Sequence, residues 1–220
     1  MPGEEESAGQ RPLKLVVGLG NPGPKYRDTR HNIGFRIARK FSQTCGIALD
    51  EERFLGRFGR GTLRGSDEHG IDVGILQPET FMNRSGEATA AAIRELGIED
   101  CARDLLVVID DVDLPFGRLR LRAMGGAGGH RGLADILDHL ADFGVTAVPR
   151  LRFGVGRPET GEDTAAHVLE PFSVLEELHL PGRIDLASEA LEVALREGVP
   201  AAMTRFNRDP EATPEAETIP

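Results

Sequence analysis

A strand that empties into a rigid polar loop is the feature of this chain that most restricts its fold. Leu13 to Val17 is a run of strand length that is apolar but for Lys14. It feeds directly into GLGNPGPKYRDTRHNIG (18–34), which holds four glycines, two prolines, two asparagines and His31. A strand buried on both faces belongs to a sheet covered by helices. The loops leaving the ends of such strands are where α/β sheets bind their ligands. His31 is therefore the first candidate for a reactive group.

The rest of the chain alternates helix and strand patterns. Asn32 is placed to cap a helix running to Thr44, with Gly46 as its stop and Ile33, Ile37, Ala38 and Phe41 as its apolar stripe. Residues 57–64 and 71–76 read as a hairpin, followed by a loop (77–86) and an alanine-rich helix ending at Gly97. Leu105–Ile109 is a second apolar run, hence a central strand, and it ends in Asp110, Asp111, Val112 and Asp113. Residues 117–122 alternate Arg with Leu, as an edge strand with one wet face does. A glycine loop (125–132), a helix (133–141), a strand (151–155), a helical region (173–197) broken near Pro181-Gly182 and a short helix to Asn207 complete the pattern. The expected fold is α/β: one three-layer domain over residues 12–207, with a mixed, mostly parallel central sheet flanked by helices. The Pro/Glu/Ala-rich segments 1–11 and 208–220 read as disordered acidic tails.

Composition excludes several classes. No run approaches ~18 consecutive apolar residues, so a membrane span is not expected. The two cysteines, Cys45 and Cys101, form no CxxC pair, which argues for a reducing compartment and against a thiolate metal site. The acidic N-terminus is no signal peptide, and the cytoplasm is the expected location. The formal charge of −10 speaks against a polyanion partner, but its distribution does not. Residues 117–157 hold seven arginines against three aspartates, a net +4. Such a segment is either a solvated face or a local polyanion site.

The motifs narrow the chemistry. Gly18-x-Gly20-x-x-Gly23 formally matches a dinucleotide fingerprint, but Pro22 and Pro24 intervene before any helix, and no acidic residue ends a second strand at the required distance. The second glycine loop lacks the Gly-Lys-Ser/Thr of a phosphate loop. Asp110, Asp111 and Asp113 resemble Mg²⁺ ligands in type, yet strand alternation sends Asp110 and Asp111 to opposite sides. There is no Gly-x-Ser-x-Gly elbow and no HExxH pair. What remains is a histidine that can meet a strand-end aspartate, an arrangement suited to activating water. Asn21, Asn32 and Asn83 offer amides to hold and polarise a carbonyl.

Four blocks then resemble the bacterial-type peptidyl-tRNA hydrolases: VVGLGNPGPKYRDTRHNIGF (16–35), PETFMNRSGEA (78–88), DDVDLPFGRLRLRAMGGAGGHRGL (110–133) and RLRFGVGRP (150–158). VLEPFS (168–173) and AMTRFN (202–207) fit as well, so the resemblance spans residues 13–207. It implies an esterase without metal or other cofactor that splits a peptide from the 3′ ribose of tRNA. It implies His31 as the general base and Asp110 as the group that orients it and stabilises its protonated form. Asn21 would distinguish N-blocked from free aminoacyl groups, and Asn83 would position the ester carbonyl and water. Phe81 and Met82 would line the peptide cleft, Tyr26 would meet the tRNA end, and His130 would hydrogen-bond the substrate backbone. Arg122 and Arg152 would clamp tRNA phosphate, giving the basic segment a purpose. The implied partner is the acceptor stem and 3′ CCA end of peptidyl-tRNA, with no membrane and no obligate protein partner, and the implied state is a monomer. Two positions depart from the family pattern. Arg131 stands where an asparagine is frequent and can donate but not accept a hydrogen bond, and Ile109 stands where a histidine is frequent. A catalytically silent RNA-binding relative is the alternative, disfavoured by the joint presence of Asn21, His31, Asn83 and Asp110.

Overall fold

The protein is described here by a computed structural model, which covers residues 12–64, 70–158 and 163–208. The tails expected at 1–11 and 208–220 lie, Arg208 apart, outside the described residues. In chain order the elements are β1 (Lys14–Gly18), α1 (Ile33–Cys45), β2 (Glu51–Arg53), β3 (Gly56–Leu63), β4 (Ile71–Pro78), α2 (Ser85–Leu96), α3 (Cys101–Asp104), β5 (Leu105–Asp111), β6 (Leu119–Arg122), α4 (Arg131–Ala141), β7 (Arg150–Gly154), α5 (Thr164–Val168), α6 (Val174–Glu197) and α7 (Val199–Phe206).

The strands form one sheet in the order β2-β3-β4-β1-β5-β7-β6. The four central strands are parallel, with Val17 opposite Leu76 on one side and Val107 on the other. The margins, β2-β3-β4 and β6-β7, are antiparallel. The mixed sheet is thus parallel only at its centre, where helices cover both faces and strands must be apolar throughout. Alternation divides their side chains cleanly. Val16, Val73, Ile75, Leu106, Val108, Leu151 and Phe153 pack against α1, α6 and α7. Leu15, Val17, Leu76, Leu105, Val107 and Ile109 pack against α2 and α4. Two cores on one sheet make the expected three layers.

Three expectations need correction. The helical region 173–197 is not broken: α6 runs through Pro181. Proline withdraws one N–H, but Pro181 lies on the exposed side of the helix, away from the core. Leu180, Ile184, Ala187 and Leu191 stay buried in register, and Ser173 and Glu176 close a reciprocal capping box at the start. Second, Asn32 precedes α1 but its side chain does not cap it; the amide is used elsewhere, as described below. Third, α4 begins at Arg131 and not Leu133, because the His130 ring accepts the Leu133 N–H and caps the helix. Gly46 and Gly97 end α1 and α2 in the left-handed conformation their glycines allow.

Cys45 is half-buried and Cys101 buried, and neither is in a disulfide. Burial, reinforced by Glu192, pushes the Cys45 thiol up to about 12, and burial raises Cys101 as well. Since the thiolate is the nucleophile, neither cysteine should react with iodoacetamide at pH 8 until denaturant is added. Mass spectrometry of the native protein checks this, and rapid labelling of Cys45 would contradict it.

Candidate active site

The site assembles at the carboxyl ends of β1, β4 and β5, where the parallel strands hand over to loops. Two glycines bring the β1 exit and α1 into contact. Gly18 sits directly against the Gly34 carbonyl, and a Cβ at Gly34 would lie within 2.6 Å of Leu19 N and Val108 O. Of the fingerprint glycines, Gly18 therefore serves close backbone packing, Gly20 lies against the Phe35 ring, and Gly23 supplies a positive φ in open space. The helix follows the strand only after the loop and two 3-10 turns, and its first-turn Phe35 N–H is already taken by Leu19 O at 3.1 Å.

Asn32 fixes the loop. Its Oδ1 accepts from Asn21 N (2.8 Å) and its Nδ2 donates to Asn21 O (3.0 Å), so one buried amide grips both backbone groups of Asn21. Asn21 in turn accepts the Met82 N–H through Oδ1 at 2.8 Å, tying the β1 loop to the loop after β4. Its Nδ2 has no partner among the described residues and is the free edge of the amide. The Gln77 side chain donates to Phe35 O at 2.7 Å and braces the same junction.

His31 meets Asp110. Its Nδ1 stands 2.7 Å from Asp110 Oδ1. A carboxylate accepts only, so Nδ1 carries the proton and Nε2 is left as the basic nitrogen, without a partner among the described residues. His130 Nε2 lies 3.1 Å from the same oxygen. His130 Nδ1 accepts from Leu133 N at 3.1 Å, so the Nε2 proton is the one that points at Asp110. Burial pushes the Asp110 carboxyl up. The two imidazoles pull harder in the other direction and hold it well below the usual carboxylate range. His130 was expected to hydrogen-bond substrate; here both of its nitrogens are bonded within the protein.

The neighbouring carboxylates diverge, as strand alternation requires. Asp111 pairs with Arg152 Nε and accepts the Asp113 N–H at 2.9 Å, bracing the turn, while Asp113 pairs with Arg157 at 2.8 Å. The three aspartates do not converge. Among the described residues, the atoms grouped closely enough to hold a cation are those of His31, Asp110 and His130, all within 4.8 Å of one another. Both nitrogens facing Asp110 carry protons that its Oδ1 already accepts.

These groups lie in a cleft of about 570 Å³. Asn21, Tyr26, His31, Phe81, Met82, Asn83, Asp110, His130, Arg131 and Arg152 line it, with Val168 and Leu169 beyond. No serine or cysteine is among its described lining residues. Phe81 is half exposed and Met82 buried, giving the cleft an apolar wall. Arg122 is not part of it. It lies exposed on edge strand β6, on the face that carries Arg120, Arg150 and Arg152. Arg120 is paired with Arg152 and Arg122 with Arg150 across the strands. Arg152 is paired with Asp111 and Arg150 is buried, which leaves Arg120 and Arg122 as the exposed charges of this margin.

Two residues of the site escaped sequence reading in this role. Asn32 had been read as a cap, and nothing local distinguishes a cap from a clamp on a residue eleven positions earlier. Arg150 is fully buried and holds the Gly125 and Gly126 carbonyls of the glycine loop. Burial, with Arg152 and Arg122 alongside, pushes its guanidinium below the usual arginine value. The period-two RLR pattern was its one signal.

The fold and site define an α/β protein whose central parallel strands end beside a His31–Asp110 pair that opens into a cleft of about 570 Å³. The comparisons with known proteins give it a family. The family model described as peptidyl-tRNA hydrolase matches residues 15–215. Peptidyl-tRNA hydrolase of Synechococcus sp. (strain JA-2-3B'a(2-13)) is 46% identical over 89% of this chain and 83% of its own length. That of Syntrophotalea carbinolica is 44% identical over 89% and 97%. The crystal structure of peptidyl-tRNA hydrolase from Acinetobacter baumannii superposes with a TM-score of 0.77 at 36% identity, over 89% of this chain and 94% of that one. The chain belongs to the peptidyl-tRNA hydrolase family. Among the described residues, no helix is long and apolar enough to cross a membrane.

Proposed function

We propose that the chain hydrolyses the ester between an N-blocked aminoacyl or peptidyl group and the 3′ ribose of tRNA, by direct attack of a water that His31 activates. The observation that carries this is the His31–Asp110 contact of 2.7 Å at the head of the cleft, which leaves Nε2 to take the proton. As the water oxygen attacks the ester carbonyl, its proton passes to His31 Nε2. Asp110 stabilises the imidazolium, which then returns a proton to the departing ribose oxygen. Asn83, exposed in the cleft wall, is placed to hold the carbonyl. Asn21 presents a free N–H₂ edge, because its oxygen is occupied by Met82 N. That edge can donate to the carbonyl of an N-acyl group but meets a free α-ammonium donor to donor, which selects blocked substrates.

Purified protein should release N-acetyl-aminoacyl groups from tRNA, with EDTA present, far faster than it releases unblocked aminoacyl groups. Retained tRNA binding with no release would point instead to a silent RNA-binding relative. The arginines supply the tRNA side of the site. Arg122→Ala and Arg152→Ala should each lower kcat/KM roughly tenfold on tRNA substrates, as expected for a charged hydrogen bond, and flatten the salt dependence. Minimal N-acyl esters of adenosine should be affected far less. Equal losses on both substrates would contradict a phosphate contact.

A further inference from the structure

His130 is not needed as a base if His31 is one, yet it is buried against the same carboxylate atom. Asp110 Oδ1 lies 2.7 Å from His31 Nδ1 and 3.1 Å from His130 Nε2, with the ring centroids 5.1 Å apart. The His130 side chain is 7% exposed, and its other nitrogen accepts the Leu133 N–H in the first turn of α4. That N–H cannot change its role, so it fixes His130 as the Nε2–H tautomer. The ring is a donor aimed at Asp110 by a helix terminus, and the Arg150 clamp on Gly125 and Gly126 holds the loop that delivers it.

We propose that His130 is a positioning residue for the base pair: a tautomer-locked second donor that holds Asp110 in place and moderates its pull on the proton of His31. This rests on the hydrolytic reading of the site given above. The physical argument is competition at one oxygen. A carboxylate oxygen shared between two N–H donors attracts each less than it would attract one alone. Without His130, Asp110 stabilises the imidazolium of His31 more strongly, so the base stays protonated to higher pH. The other ionisable groups on the cleft walls are Tyr26, Asp111, Arg131, Arg152 and Asp163. Asp111 and Arg152 are paired with each other, and Asp163 caps α5.

Two substitutions separate the two bonds that His130 makes. His130→Asn keeps an acceptor near the Nδ1 position, and asparagine is a good helix cap, but it withdraws the donor from Asp110. His130→Gln places an amide N–H near the Nε2 position and gives up the cap. On N-acetyl-aminoacyl-tRNA, H130N should lose roughly tenfold in kcat/KM at neutral pH, the size of one hydrogen bond to a charged group. Its acidic limb should move to higher pH, so that part of the rate returns on alkalinisation. H130Q should stay within a few-fold of wild type with an unshifted limb, and melt at a slightly lower temperature. Equal losses in both variants with unshifted profiles, or a wild-type profile in H130N, would overturn the proposal. A wild type without hydrolysis would instead overturn the functional reading. Imidazole-nitrogen NMR of the wild type is independent of either variant's folding. It should show His130 protonated at Nε2 and not at Nδ1, and the opposite tautomer would refute the lock.

Discussion

His31→Ala should lower kcat/KM for N-acetyl-aminoacyl-tRNA by on the order of 10²–10⁴, the range a positioned general base supplies. The loss should fall on kcat, with tRNA affinity unchanged. The His31 side chain is 13% exposed, and its one hydrogen-bond partner among the described residues is Asp110. The arginines that would hold phosphate lie on β6 and β7, on other elements. A base must be unprotonated to act, so wild-type kcat/KM falls on acidification. Asp110, held well below the usual carboxylate range, adds no ionisation of its own to that limb. That limb should vanish in the residual activity of His31→Ala. Equal rates for the two proteins would remove His31 from the chemistry.

Asp110→Asn should be nearly as damaging, on the order of 10³–10⁴ in kcat, by comparison with aspartate-to-asparagine changes behind other catalytic histidines. The side chain is 4% exposed and its Oδ1 receives two imidazole donors. An asparagine offers one accepting oxygen and an N–H₂. Wherever the N–H₂ faces His31, Nδ1 must accept, the proton moves to Nε2, and the base is lost. The protein should also lose about 1–3 kcal/mol of stability from the donors left unsatisfied. The wild-type pH profile of stability carries the same signature. Folding lowers this carboxyl's pKa, so its contribution is present above pH ~4, where an unfolded aspartate is ionised, and is lost on further acidification. Chemical denaturation of wild type and variant between pH 3 and 7 measures this. The gap between them should shrink toward the acid end, and a gap that widened there would contradict an ionised Asp110.

Much of this was legible because the apolar runs are unambiguous. Leu13–Val17 and Leu105–Ile109 could only be doubly buried strands, and their ends then had to share one edge of the sheet, which puts the His31 loop beside Asp110. Alternation along the strand alone separates Asp110 from Asp111. What stayed hidden depends on partners distant in sequence. Pro181 reads as a helix breaker locally, and only packing of Leu180 and Ile184 into the α6 core overrides it. Asn32 has a cap's position and a clamp's job. His130 reads as a substrate-facing loop residue until the start of α4 is known, because its orientation is set by the Leu133 N–H three residues on. The short elements β2, α3 and α5 carry too few residues to show a period.

In the proposed reaction water, and not a side chain, attacks the acyl carbon. A single turnover on N-acetyl-aminoacyl-tRNA in heavy-oxygen water, acid-quenched at intervals and read by mass spectrometry of both product and intact enzyme, tests it most directly. Direct attack by water puts the heavy oxygen in the carboxylate of the released acid and none in the ribose hydroxyl, and leaves an enzyme of unchanged mass at every interval. An acyl adduct on the enzyme at any interval, or label in the ribose hydroxyl, would contradict it.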